Sequence, residues 1–161
     1  MFEDQIALVE ADVVSLAEAV PEAVFDFVPG EGAFEGVRTF GEQVRHLATV
    51  LYLSAVVLTG KKPPFGPGTG NNGPDSVQAR DQALDFLRES FAAARRSIGT
   101  LTDENHLDRV PSVFGPVPRS SIASSLLSHS YNHYGQMVVY ARMNGVVPPR
   151  SVPSGAGTSA R

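Results

Sequence analysis

His129 and His133 occupy consecutive positions of an apolar stripe that reads Ile122, Leu126, His129, His133, Gln136 and Tyr140. Four residues apart on a helix, two imidazoles lie one above the other on the same face, close enough for their nitrogens to meet one ion. Burying a polar group without a partner costs about 1–3 kcal/mol, so two histidines where Leu or Ile is expected need compensation. A divalent metal supplies it, and Gln136, in the same layer, can hydrogen-bond a ligand, a water or a substrate. The His-x-x-x-His spacing is a weak signal by itself, because solvated or hydrogen-bonded pairs produce it too. A metal site that performs chemistry wants a third protein ligand and an open position. His46 is the candidate, on a stripe with Val50, Leu53 and Val57. The same pattern equally describes a core-boundary histidine that donates to a carbonyl.

The other polar residues have simpler readings. His106, in Asp-Glu-Asn-His-Leu-Asp, reads as a solvated loop residue. Glu42 stands three residues after Thr39, the spacing of a capping box, although it is also four residues before His46. Tyr131, Tyr134 and Tyr140 read as packing residues, and Arg142 as a complement to the dipole of its helix.

Composition narrows the chemistry. The 161 residues include no Cys and no Trp, which excludes disulfides, thiolate metal sites, Fe–S clusters and a Cys nucleophile together. Thirteen Lys and Arg against 17 Asp and Glu give a formal charge of −4, no footprint for nucleic acid. The paired Glu-x-x-His motifs of di-iron bundles, the His-Glu-x-x-His helix and the Gly-x-Ser-x-Gly elbow are all missing. Gly66-Pro-Gly-Thr-Gly70 is Gly-rich but lacks the Lys-Ser/Thr ending of a phosphate loop. The N-terminus, Met1-Phe-Glu-Asp-Gln, is acidic where an export signal would be basic. The apolar run Leu47–Leu58 is interrupted by Thr49, Tyr52 and Ser54 and falls short of the ~20 residues that span a bilayer. A cytoplasmic protein with no membrane segment is expected.

Four periodic stretches must position the histidines. Ile6, Val9, Val13, Leu16 and Val20 line a helix over 3–20, which Pro21 stops. A second, over 39–59, opens on the Thr39–Glu42 box, buries Phe40, Val44, Leu47, Leu51, Ala55 and Leu58, and ends at Gly60. A third is expected over 75–98, with Asp75 as N-cap, a stripe of Val77, Leu84, Leu87, Phe91, Ala94 and Ile98, and Gly99 as C-cap. The fourth, 119–144, carries the histidine pair and ends at Gly145 before Pro148-Pro149. Residues 110–117 have room for a short extended piece. The fold class is therefore all-α, a four-helix bundle in one domain over 1–150, with a flexible tail over 151–161. Connections of this length leave a crossover topology open.

With these residues in place, the chain resembles the DinB/YfiT-like metal-dependent bundle proteins. The likeness lies in Val44-Arg-His46-Leu-Ala, in His129-Ser-Tyr-Asn-His133-Tyr-Gly-Gln136, and in Tyr140-Ala-Arg142-Met-Asn-Gly145-Val-Val-Pro148-Pro149. Leu101-Thr-Asp-Glu-Asn-His-Leu-Asp-Arg109 with Phe114-Gly115 looks like the family's entry to the last helix, and the likeness extends from about Phe25 to Pro149. The resemblance implies a bundle with a crossover connection, often a dimer, that holds a divalent metal by His46, His129 and His133. Zinc or nickel leads among the metals, with iron and manganese also in range. Relatives use the metal to activate a low-molecular-weight thiol, transferring it to an electrophile or isomerising maleylpyruvate. The implied function is a hydrolase or thiol transferase acting on a small-molecule substrate; the alternative is a non-catalytic, stress-related metal- or ligand-binding bundle. Tyr134 stands where the family's His-x-x-x-His-Arg-Gly-Gln form has Arg, a departure that bears on substrate rather than on the triad.

Overall fold

A computed structural model describes residues 1–63, 65–113 and 115–152. Residues 153–161, most of the expected flexible tail, and Phe114 lie outside the described residues. Four helices dominate: α1 (Phe2–Ala19), α2 (Phe40–Thr59), α3 (Arg80–Ile98) and α4 (Arg119–Met143). The extended piece is a pair of two-residue strands, β1 (Arg109–Val110) and β2 (Val117–Pro118), in antiparallel register.

The stripes meet in one core. Ile6, Val9, Val13 and Leu16 of α1 pack with Val44, Leu47 and Leu51 of α2, with Leu87 and Phe91 of α3, and with Ala123, Leu126, Met137 and Ala141 of α4, all essentially withdrawn from solvent. Among the described residues, α1 and α2 each pack chiefly between α3 and α4. Consecutive helices α1 and α2 therefore sit at opposite corners of the bundle, as do α3 and α4. The segments 20–39 and 99–118 cross its ends diagonally. By contrast, α2 and α3 start at the same end, beside the end of α1, and finish at the other, beside Arg119 of α4, so the connection between them must span the length of the bundle and is the crossover.

The first crossing fixes the start of α2, where two residues of the site lie. Phe25 is buried edge-on against Phe40, with ring centroids 5.4 Å apart. Phe27 meets Tyr140 of α4 edge-on at 5.7 Å. The Gly41 amide donates to the Phe25 carbonyl at 2.8 Å. A Cβ at position 41 would stand 3.0 Å from the Phe25 ring and 3.1 Å from its carbonyl, tighter than ordinary contact, so a larger residue there would push the Phe25 turn away by a few tenths of an ångström. The capping box forms as expected: Thr39 Oγ1 accepts from the Glu42 amide at 3.1 Å, and Glu42 Oε2 accepts from the Thr39 amide at 2.8 Å. Glu42 serves the cap, and its other oxygen accepts from Asn72 Nδ2 at 3.5 Å.

The expected start of α3 at residue 75 is corrected to Arg80. Asp75 caps nothing there. Its carbonyl accepts from Gln78 Nε2, and Gln82 Oε1 takes the amides of Gln78 and Ala79, both at 3.1 Å, satisfying donors that the first helical turn leaves open. Arg80 then donates to the carbonyls of Glu18 and Val20, at 2.7 and 3.1 Å, tying the start of α3 to the end of α1. Val77 still packs against the core, from the loop. At the other end of the chain, Arg142 donates to Ser151 Oγ at 3.0 Å, and Arg150 pairs with the nearly buried Asp12 of α1.

Candidate metal centre

α2 and α4 pack against each other, and the packing brings His46 to the histidine pair. Ring centroids lie 4.5 Å apart for His129 and His133, 4.9 Å for His46 and His133, and 5.3 Å for His46 and His129. One ring nitrogen from each lies within 4.8 Å of the other two, an arrangement that could hold a metal ion. His133 and His46 are 5% and 8% exposed, and His129 is partly exposed although its Nε2 is buried, so the cluster lies nearest to solvent on the His129 side.

Hydrogen bonds settle which nitrogens are free. His46 Nδ1 stands 3.1 Å from the Asn71 carbonyl, and His133 Nδ1 stands 2.6 Å from Gln43 Oε1. Both partners accept, so both Nδ1 atoms carry the proton and both Nε2 lone pairs are left for another purpose. His46 thus satisfies two readings of its pattern at once: it donates to a carbonyl, and by doing so it points a free donor atom at the cluster. His129 Nε2 is buried and has no hydrogen-bond partner among the described residues.

The carbonyl on His46 comes from a tight turn. Backbone φ is positive at Gly68, Gly70, Asn71 and Gly73. A Cβ on Gly68 would lie 1.8 Å from the Gly73 carbonyl oxygen, so this turn closes only with glycine there. Arg38 holds the turn, donating from Nε to Asn72 Oδ1 at 2.7 Å and from Nη2 to the Gly70 carbonyl at 2.9 Å. The Gly-rich stretch is no phosphate loop; its end braces an imidazole.

Electrostatics keep the imidazoles neutral. Burial, followed by the charges of His129, His46 and Arg38, lowers the His133 pKa to about 3. Burial, then His46 and Arg38, lowers His129 to about 4. His46 is also lowered, by burial and by Arg38, against the raising effect of its carbonyl partners. Near neutral pH the cluster therefore presents three unprotonated nitrogen donors. An orphaned buried nitrogen, two ring protons turned away and a neutral donor set all fit a divalent cation.

Gln136 stands outside the histidine layer, and His106 lies in a loop as expected. Gln136 is exposed on the rim of α4, and its Oε1 accepts from Gln43 Nε2 at 3.1 Å, so it leaves the histidine layer to the three rings. The stripe that placed it inside is carried by Met137, fully buried one residue on. His106 is a partly exposed loop residue whose Nδ1 lies 2.9 Å from the Asp103 carbonyl, apart from the cluster. Gln43, Arg38 and Asn71 were not among the residues singled out. Gln43 had a usable signal: an amide three residues after Phe40 and one before Val44, within the apolar face of the second helix.

The fold and the cluster define a helical bundle with a histidine-lined site, and comparison with known proteins places it. The DinB superfamily profile matches residues 5–137, and the chain belongs to that superfamily. A crystal structure of a DinB-like protein from Bacillus cereus superposes with a TM-score of 0.70 at 20% identity, over 92% of this chain and 93% of the other. A DinB-like protein from Bacillus subtilis gives 0.68 at 17% identity, over 89% and 92%. At these identities the likeness concerns the fold. No curated protein matches the chain significantly.

Proposed function

We propose that this is a divalent-metal-dependent enzyme in which His46, His129 and His133 hold one ion and a small-molecule substrate approaches from the His129 side. The observation that carries the reading is the convergence of three neutral imidazoles whose remaining hydrogen bonds turn donor nitrogens inward, with His129 Nε2 buried and without a hydrogen-bond partner among the described residues. Three neutral ligands leave a bound zinc, nickel, iron or manganese ion its full double charge, which lowers the pKa of a water or thiol. The protein's part is to keep the imidazoles unprotonated at neutral pH and to bring one side of the cluster close to solvent. Because the chain has no Cys, a thiol nucleophile must arrive with a cosubstrate. Hydrolysis and thiol transfer then differ in the nucleophile admitted. The test is metal analysis of the purified protein, followed by an electrophile panel run with and without low-molecular-weight thiols. Turnover that requires both metal and thiol supports the transferase form, and turnover with metal alone the hydrolase form. Failure to take up zinc, nickel, iron or manganese at micromolar concentration overturns the reading, and metal uptake with no turnover across the panel turns it toward a binding protein.

A homodimer is part of the same proposal. Val50, Leu53 and Val57 form a partly exposed apolar flank on α2, the kind of surface that a second copy covers with two-fold symmetry. Light scattering is expected to give twice the 17.1 kDa chain mass at micromolar concentration. A monomer under those conditions removes this element.

A further inference from the structure

The hydrogen bond on His133 is the inner end of a chain that runs to the surface. His133 Nδ1–H donates to Gln43 Oε1 at 2.6 Å, Gln43 Nε2 donates to Gln136 Oε1 at 3.1 Å, and Gln136 Nε2 donates to Asn132 Oδ1 at 3.4 Å. Gln43 is 1% exposed, a buried amide on the same helix as the buried Phe40 and Val44. A buried amide is tolerated when both of its ends are bonded, and here both are.

The direction of the chain has a consequence for the ring. An amide accepts at one end and donates at the other. Gln136 offers its oxygen to Gln43, so the Gln43 NH2 turns toward it and the Gln43 oxygen faces His133. Were Gln43 reversed, its NH2 would meet His133 Nδ1, the ring proton would move to Nε2, and the donor atom facing the cluster would be lost. His46 has no such switch, because the backbone carbonyl of Asn71 can only accept.

We propose that Gln43 is a positioning residue that, oriented by Gln136, holds His133 in the Nδ1–H tautomer and so presents the Nε2 lone pair to His46 and His129; its role in metal binding rests on the reading of that cluster as a metal site. Aligned hydrogen bonds polarise one another, which makes Nε2 a better donor than an isolated imidazole. An amide does this without adding charge, so the ion keeps the full charge that activation of a nucleophile uses.

The tautomer can be read without metal, from two-bond 1H–15N spectra of histidine-labelled protein near neutral pH. Wild type is expected to show His133 with its proton on Nδ1. Gln43→Leu removes the acceptor and is expected to shift His133 toward Nε2–H, while Gln43→Glu restores Nδ1–H. Gln136→Lys, on the exposed rim where folding is not at stake, offers donors alone; it is expected to reverse Gln43 and move the proton to Nε2. Zinc affinity, measured by chelator competition, should fall about 10–100-fold in Gln43→Leu and recover in Gln43→Glu, the range for losing such a partner. His133 retaining Nδ1–H in both Gln43→Leu and Gln136→Lys overturns the proposal. So does unchanged zinc affinity in a folded Gln43→Leu when wild type binds zinc. If wild type shows the tautomer and its response to both substitutions but binds no zinc, the positioning role stands and the metal reading fails.

Discussion

Replacing His129 or His133 with alanine is expected to cost more zinc affinity than the roughly 10–100-fold that follows loss of an outer hydrogen-bond partner, because each change deletes a donor atom itself. His106→Ala is expected to leave affinity at the wild-type level, since its imidazole is spent on loop carbonyls away from the cluster. The two cluster variants should separate in the metal-free protein. His133 is nearly buried and bonded to Gln43, so its removal opens a cavity and strands the Gln43 oxygen. That combination costs about 2–4 kcal/mol. A loss of this size lowers the Tm by roughly 5–15 °C in a chain of this length. His129 is partly exposed, and its buried Nε2 has no partner among the described residues. Removing it deletes an unsatisfied polar atom, so the metal-free His129→Ala protein should melt at or slightly above the wild-type temperature. Metal reverses the comparison. Wild type in zinc at about 100 times Kd gains about 2.7 kcal/mol, and both variants lose that gain. Chelator competition and thermal melts with and without zinc check all four quantities. Wild-type zinc affinity in His129→Ala would remove it from the ligand set.

The apolar stripes of the sequence carried most of the fold, because each helix has one face whose burial leaves little choice. Val9, Val13, Leu47, Leu87 and Leu126 lie inside where their spacing put them. Caps were legible where one side chain decides the matter, as at Thr39, and illegible where several groups compete. Asp75 is a good capping residue, but Gln82 and the grip of Arg80 on the end of α1 determine where α3 begins. The histidine spacing on α4 made a pair, and the third member needed the packing of α2 against α4 to become a cluster. What supports the rings was hidden for a physical reason. The Asn71 carbonyl is a backbone group, which no residue type advertises, and its position depends on a turn closed by Gly68 and held by Arg38 from another loop. Gln136 shows the limit of a stripe on a helix: one residue's shift, to Met137, exchanges the inner face for the rim.

Acid is expected to act on the metal-free protein well before it acts on metal binding. An unfolded histidine protonates near 6.5, whereas in the fold His129 is held to about 4 and His133 to about 3, chiefly by burial, with His46 lowered as well. The unfolded chain therefore takes up protons first as pH falls. The sign follows from linkage: stability from these groups is fully present above about 6.5 and is lost progressively as pH drops toward the folded values. Each group contributes at most about 1.4 kcal/mol per pH unit in that window, less for His129, whose partial exposure screens its charge. The metal-free Tm should fall by roughly 5–10 °C between pH 7 and pH 5, and less steeply in His133→Ala, which has lost the most strongly shifted group. Zinc affinity follows a different curve. Protons compete with a metal for a ligand only near that ligand's folded pKa, so an imidazole at the ordinary value would cost about tenfold per pH unit below 6.5. With His129 and His133 unprotonated far below that point, affinity is expected to change little from pH 7.5 to about 5.5 apart from the contribution of His46, and to fall steeply only below about pH 4. Chelator competition across this range distinguishes the two cases: a fall of more than about a hundredfold between pH 6.5 and 5.5 would mean three ordinary histidines, and the burial that lowers the pKa values of these rings would not be acting on them.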